Sequence, residues 1–356
     1  MRWLPLLLLG CTAEAPLEDG PSLADIGLLG WDGESLTYAE GVVPYELATP
    51  LFSDYAVKAR AMVLPDGEVA QWVEGDAVLD FPIGTRLLKT FLLPADLREP
   101  TVDLRILETR VLTRRADRWE PEPWLWDEAG QTAAPAPGGE VLDLSTIGLD
   151  GEPLSFPYLV PQRNQCADCH ELKVGDERVF TPIGPKLRHL NRPVDHGMGE
   201  VHQLEHLLDR GVIADLPATP DELDSATLAE DLEGVDLSTL AAEAIEEAAR
   251  DYLDINCAHC HNPQGTEGVS SQLFLHRGET DPFHLGVCKR PGSAGSGTGG
   301  LTFDIVPGDH TQSILYYRMA TEQPGAMMPD IGRTLTHTAG IDLIARWIDG
   351  MTGDCE

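Results

Sequence analysis

Across residues 40–160 the apolar positions fall in short runs and alternations broken by turn-forming residues, the pattern of strands rather than helices. Val42-Val43-Pro44-Tyr45 leads into Leu51-Phe52-Ser53-Asp54-Tyr55. Ala61 to Leu64 and Ala70 to Val73 flank Pro65-Asp66-Gly67, which predicts a hairpin. Leu87 to Leu93 and the alternating Leu104 to Leu112 predict two further strands. Trp119, Trp124 and Trp126 follow, and their size assigns them to buried packing. After Cys166 the period changes. Val201 to Leu208 is amphipathic at helical spacing. Between Thr239 and Asn256 one stripe carries Leu240, Ala244, Ala248 and Tyr252, with Ile245, Ala249 and Leu253 beside it. Ile341 to Ile348 predicts a closing helix. Between them, residues 216–237 are acid-rich and read as a solvated linker, and Arg290 to Gly300 reads as a flexible glycine-rich loop.

Composition narrows the function classes. The chain has 356 residues, 42% of them hydrophobic, enough for about two domains and too apolar for global disorder. Its 59 acidic residues against 25 Lys and Arg give a net charge of −34, which argues against nucleic-acid binding and for a cationic partner. The first ten residues, a positive charge followed by an apolar run, read as an export signal. Leu8-Leu9-Gly10-Cys11 resembles a bacterial lipobox, so Cys11 is expected to be lipidated, with residues 11–24 as a tether. Thr12, where Asp would resemble an inner-membrane retention signal, favours an outer-membrane anchor.

The chemistry concentrates in one motif that occurs twice. Cys166-Ala167-Asp168-Cys169-His170 and Cys257-Ala258-His259-Cys260-His261 are both Cys-x-x-Cys-His, for which composition alone predicts on the order of 0.004 occurrences. Two thiols at this spacing can add to the two vinyl groups of one haem, and the adjacent histidine can then ligate its iron. Cys166, Cys169, Cys257 and Cys260 are therefore the expected attachment points of two haem c groups, with His170 and His261 as proximal ligands. A zinc site built from both cysteine pairs, or a redox dithiol, is the alternative. Met328, in Met327-Met328-Pro329, is the expected sixth ligand of the second iron, with Met327 and Met319 as alternatives. The first iron has no clear partner among His189, His196, Met198, His202 and His206; His189 is preferred and Met198 is next. Cys288 and Cys355 remain and are expected to form a disulfide, which an oxidising compartment permits.

Several strings together resemble an uncharacterised family of bacterial dihaem c-type cytochromes. They are Pro44 to Tyr55, Asp80 to Thr85, Asn164-Gln165-Cys166, Pro182 to Lys186, Asn256 to His261, Asp304 to Gly308 and Met327-Met328-Pro329. The resemblance spans roughly residues 25–355 and implies two covalent haems and an exported location, without supplying a reaction. The expected fold class is α+β multidomain. A β-rich domain (25–160) precedes a first haem-binding segment (161–215), the acidic linker, and a mostly helical class I cytochrome c-like domain (238–356). The expected function is electron transfer between redox partners, basic at the docking face. The rivals are a peroxidase-like enzyme with an open first iron and a binding module with accessory haems.

Overall fold

The computed structural model describes residues 23, 27–197, 199–232, 234–265 and 272–356. Cys11, the expected export signal and Met198 lie outside them. Strands β1 (Leu29–Trp31) and β2 (Leu36–Tyr38) form a hairpin. Six strands then make one antiparallel meander in chain order: β3 (Val43–Tyr45), β4 (Val57–Val63), β5 (Arg86–Pro94), β6 (Leu104–Arg114), β7 (Trp119–Trp126) and β8 (Ala133–Pro135). The alternation read from Leu104 to Leu112 is the reason β6 is the long central strand. The expected hairpin around Pro65-Asp66-Gly67 does not form. β4 pairs with β5 instead, while Ala70 bridges to Ile213 and Gln71 to Asp80.

One face of the sheet buries Leu88, Leu92, Val111, Trp124 and Trp126 beneath β1 and β2. The other face is split. At one end Met62, Leu87 and Trp119 pack on Leu190, Leu204 and Leu207. At the other end Phe91 packs on Leu144, Phe156 and Tyr158 from the hairpin β9 (Glu140–Ile147) and β10 (Pro153–Val160).

The rest of the chain holds α1 (Cys166–His170), the hairpins β11 (Glu171–Val174)/β12 (Glu177–Phe180) and β13 (Pro193–Asp195)/β14 (Glu200–His202), and five further helices. These are α2 (Leu187–Leu190), α3 (Gln203–Asp209), α4 (Ala242–Asn256), α5 (Ile314–Ala320) and α6 (Thr338–Gly350). The expectation of a mostly helical cytochrome-like second half is therefore corrected. The protein is 27% strand and 22% helix, and the six helices among the described residues are short. Buried arginines do the work that helical hydrogen bonding was expected to do. Arg250 donates to the carbonyls of His276, Arg277 and Glu279, and Arg333 to those of Arg318, Met319, Thr321, Met328 and Leu335. Irregular backbone is tolerated in the interior when its carbonyls find such donors.

The division at residue 160 is not a division of the core, because Leu190, Leu204 and Leu207 share a cluster with the sheet. The acidic stretch is pinned as well: Ala226 donates to the Arg188 carbonyl, Ala229 to the Ala48 carbonyl, and Thr227 to Asp251 of α4. No helix among the described residues is long and apolar enough to cross a membrane.

Candidate functional site

The first motif forms α1, a single turn that follows a 3-10 turn at Arg163–Gln165. The β11/β12 hairpin, reversed at Gly175 with its φ of +65°, then brings Phe180 and Thr181 back onto His170. His170 Nδ1 lies 2.8 Å from the Thr181 carbonyl, and the Thr181 amide donates to the His170 carbonyl at 2.7 Å. Phe180 stacks on the imidazole with ring centres 5.1 Å apart. Burial pushes the His170 pKa down to about 3, so the ring is neutral. Because a carbonyl can only accept, the proton sits on Nδ1 and the Nε2 lone pair is left bare, the arrangement of a metal-ligating histidine.

The second motif follows α4 directly. Amides of Cys260 and His261 both donate to the Cys257 carbonyl, closing the turn. Gly265 is obligatory here: a Cβ would fall 1.8 Å from the Cys260 carbonyl oxygen. Burial lowers the His261 pKa to about 4 and raises that of Cys257 to about 12. The His261 Nδ1 is buried, and the Leu273 backbone acts on the ring in the opposite sense to burial.

Each motif opens on its own cavity. Cys166, Cys169 and His170 line one of about 140 Å³, floored by the meander sheet. Cys257, Cys260 and His261 line a second of about 450 Å³, closed by Ile314, Leu315 and Met328. Cys169, His259, Pro329 and Ile331 belong to both walls. The motifs touch there. The Cys169 thiol hydrogen-bonds Cys260, holding the Cys260 pKa low and its own high. Cys260 Sγ is also 3.2 Å from the Asp168 carbonyl.

Met328 faces His261's cavity from a loop fastened at both ends. Its amide donates to the Arg318 carbonyl, and its own carbonyl accepts two bonds from Arg333. Met319 also lines this cavity but belongs to the apolar core, whereas Met327 lines neither cavity. His189 is corrected as a candidate ligand: it is fully buried in α2, its Nε2 3.5 Å from Asp254, and it lines neither cavity. His196, His202 and His206 line neither cavity, and the rings of His196 and His206 tilt together with centres 5.8 Å apart. Cys288 and Cys355 are bonded to each other, tying the end of the chain beside Ile305.

Sequence reasoning missed three residues of the first cavity, Arg60, Lys89 and Arg110. Their only signal was the recurrence of bases at strand positions in an acid-rich chain. Missed too was the strap formed by residues 51–55. Phe52 donates its amide to Asn256, next to Cys257, and stacks on His337 at 4.4 Å. Asp54 accepts from the amides of Thr334 and Leu335, both at 2.7 Å.

Two thiols and a neutral imidazole on a cavity wall are the donor set that a covalently attached haem requires. The second cavity lies within the ~300–1,000 Å³ of typical small-molecule sites, while the first is smaller and its lining must yield to admit a macrocycle. Among the described residues no three or more His, Cys, Asp or Glu side chains gather as a metal cage. No protein-family model, curated protein or solved structure matches the chain.

Proposed function

We propose that the chain is an exported dihaem c-type cytochrome that passes electrons between redox partners. The observation that carries this reading is the contact of the two Cys-x-x-Cys-His turns through Cys169 and Cys260, with cavities that share a wall. Haem, when bound, supplies a one-electron ferric–ferrous couple. The chain would fix one group through Cys166 and Cys169 and the other through Cys257 and Cys260, on turns that meet at Cys169 and Cys260. His170 and His261 present neutral imidazoles. Met328 offers a thioether across the second cavity, and Arg333 positions it by holding its carbonyl. Exclusion of water by the buried lining favours the less charged ferrous state and raises the potential. The Cys288–Cys355 bond fits an oxidising compartment, which c-type attachment also needs.

The test is haem stoichiometry and ligation after expression with a haem-attachment system. Two covalent haems are expected, falling to one in Cys166→Ser/Cys169→Ser and to one in Cys257→Ser/Cys260→Ser. Met328→Ala should abolish the thioether-to-iron absorption of the oxidised protein, and Arg333→Gln should weaken it while leaving attachment intact. Haem-free protein from a strain that loads a control cytochrome would overturn the reading.

A further inference from the structure

Three cations stand in a row on the floor of the first cavity. The β4–β5 register sets Arg60 opposite Lys89, and the β5–β6 register sets Lys89 opposite Arg110. Tyr45 on β3 and Pro123 on β7 extend the same row, and both line the cavity. On the same sheet face the row to one side, Met62, Leu87 and Leu112, joins one apolar cluster. The row to the other side centres on Phe91, in a second cluster. The cations are a polar stripe between two apolar blocks, facing Cys166, Cys169 and His170.

Such a row is unfavourable by itself. Like charges directly opposite one another destabilise a sheet, and burial removes the water that would screen them. Compensation from the chain is partial. Glu108 forks onto Arg110 at 2.5 and 2.9 Å and also accepts from the Tyr158 hydroxyl, so its oxygens are occupied. Arg60, 5% exposed, comes no nearer than 3.9 Å to Glu46, and its Nη2 is buried with no partner. No carboxylate among the described residues pairs with Lys89, whose ammonium lies 5.0 Å from the Phe91 ring centre. Burial, with Arg60 and Arg110 alongside, brings the Lys89 pKa down to about 7. In a chain with more than twice as many acids as bases, composition does not account for a largely buried cationic row, its Arg60 fully enclosed and its Lys89 and Arg110 half-buried, that is short of acids.

We infer that Arg60, Lys89 and Arg110 form a carboxylate-binding subsite, whose occupants are the two propionates of the haem carried by Cys166 and Cys169. This rests on the dihaem reading. A haem bears its two carboxylates on the edge away from the vinyl groups that take the thiols. Guanidinium forks suit carboxylates through paired N–H donors, and the ammonium adds a point charge. Occupied, the row changes from mutual repulsion to charge-assisted hydrogen bonding.

The haem-loaded protein tests this through the potential of the first haem as a function of pH, in wild type, Lys89→Met and Arg60→Gln. Neighbouring cations keep a carboxyl ionised to lower pH. Bound propionates in turn hold Lys89 protonated above its haem-free value, so the wild-type potential is expected to be flat between about pH 5 and 8. Removing one cation raises the carboxyl pKa into that window. Reduction then takes up one proton with one electron, and the reduction equilibrium falls up to tenfold per pH unit across the window. Lys89→Met relieves repulsion, so it keeps the fold available for measurement. A free dicarboxylate is the competing occupant, and succinate is the probe. Succinate should leave the wild-type potential unchanged; a saturable shift would show an open subsite and overturn the propionate assignment. Unchanged pH profiles in both variants, with haem present on Cys166 and Cys169, would overturn the inference alone. Absence of haem from those cysteines would overturn the dihaem reading and this inference with it.

Discussion

His337 shows how one side chain ties stability to pH. Its half-buried ring lies between Phe52 and Tyr252, with Nδ1 3.0 Å from the Tyr252 hydroxyl. Burial first, and the charge of Lys58 second, lower its pKa from 6.5 to about 4. The unfolded chain therefore binds the proton before the folded one does. Its contribution to stability is complete above about pH 6.5 and is lost as pH falls towards 4. After discounting for partial exposure, the loss is about 1–2 kcal/mol. Urea denaturation of wild type and His337→Phe at pH 7 and pH 4.5 measures it. The gap between the two proteins should shrink at the lower pH, and a constant gap would refute the assignment.

At the scale of elements, the loops carry as much organisation as the helices. Helix α4 turns Asp251 and Asp254 inward, where they meet Arg188 and Lys186 on either side of the start of α2. Periodicity reads α4 correctly as amphipathic, yet it marks these acids as surface residues. Their burial depends on partners more than sixty residues away. The strap at residues 51–55 is a parallel case. Its apolar residues predict a strand, but Asp54 and Tyr55 adopt left-handed φ values of 50° and 60°, and the segment crosses to the loop after Met328. Asp54→Ala leaves two half-buried amides without their acceptor and should cost about 1–3 kcal/mol. Asp54→Asn, which keeps one acceptor oxygen, should cost less. Chemical denaturation of the three proteins decides, and equal stability of Asp54→Ala and wild type would show that the strap is not anchored there.

For the whole molecule, charge is the property that survives from composition to structure. A net charge of −34 surrounds a cavity floor that is locally cationic, so the exterior and the first site present opposite signs. On the electron-transfer reading, the docking partner is basic. Reduction measured by stopped flow should slow several-fold as salt rises from roughly 10 to 150 mM, where the Debye length shrinks from about 30 to 8 Å. A rate independent of salt would place the docking face outside this field.

The sequence by itself determined what short-range spacing can encode: both Cys-x-x-Cys-His turns, the alternating strand at Leu104 to Leu112, and the apolar stripe of α4. Those signals lie within a few residues of one another, where backbone geometry alone fixes which side chains share a face. Tertiary structure alone decided that the second half is held by buried arginines rather than by a bundle of helices, and that Cys169 meets Cys260. It also decided that Arg60, Lys89 and Arg110 stand in register. Cross-strand neighbours are chosen by pairing between distant segments, and a slip of one residue would have turned each of these cations to the opposite face.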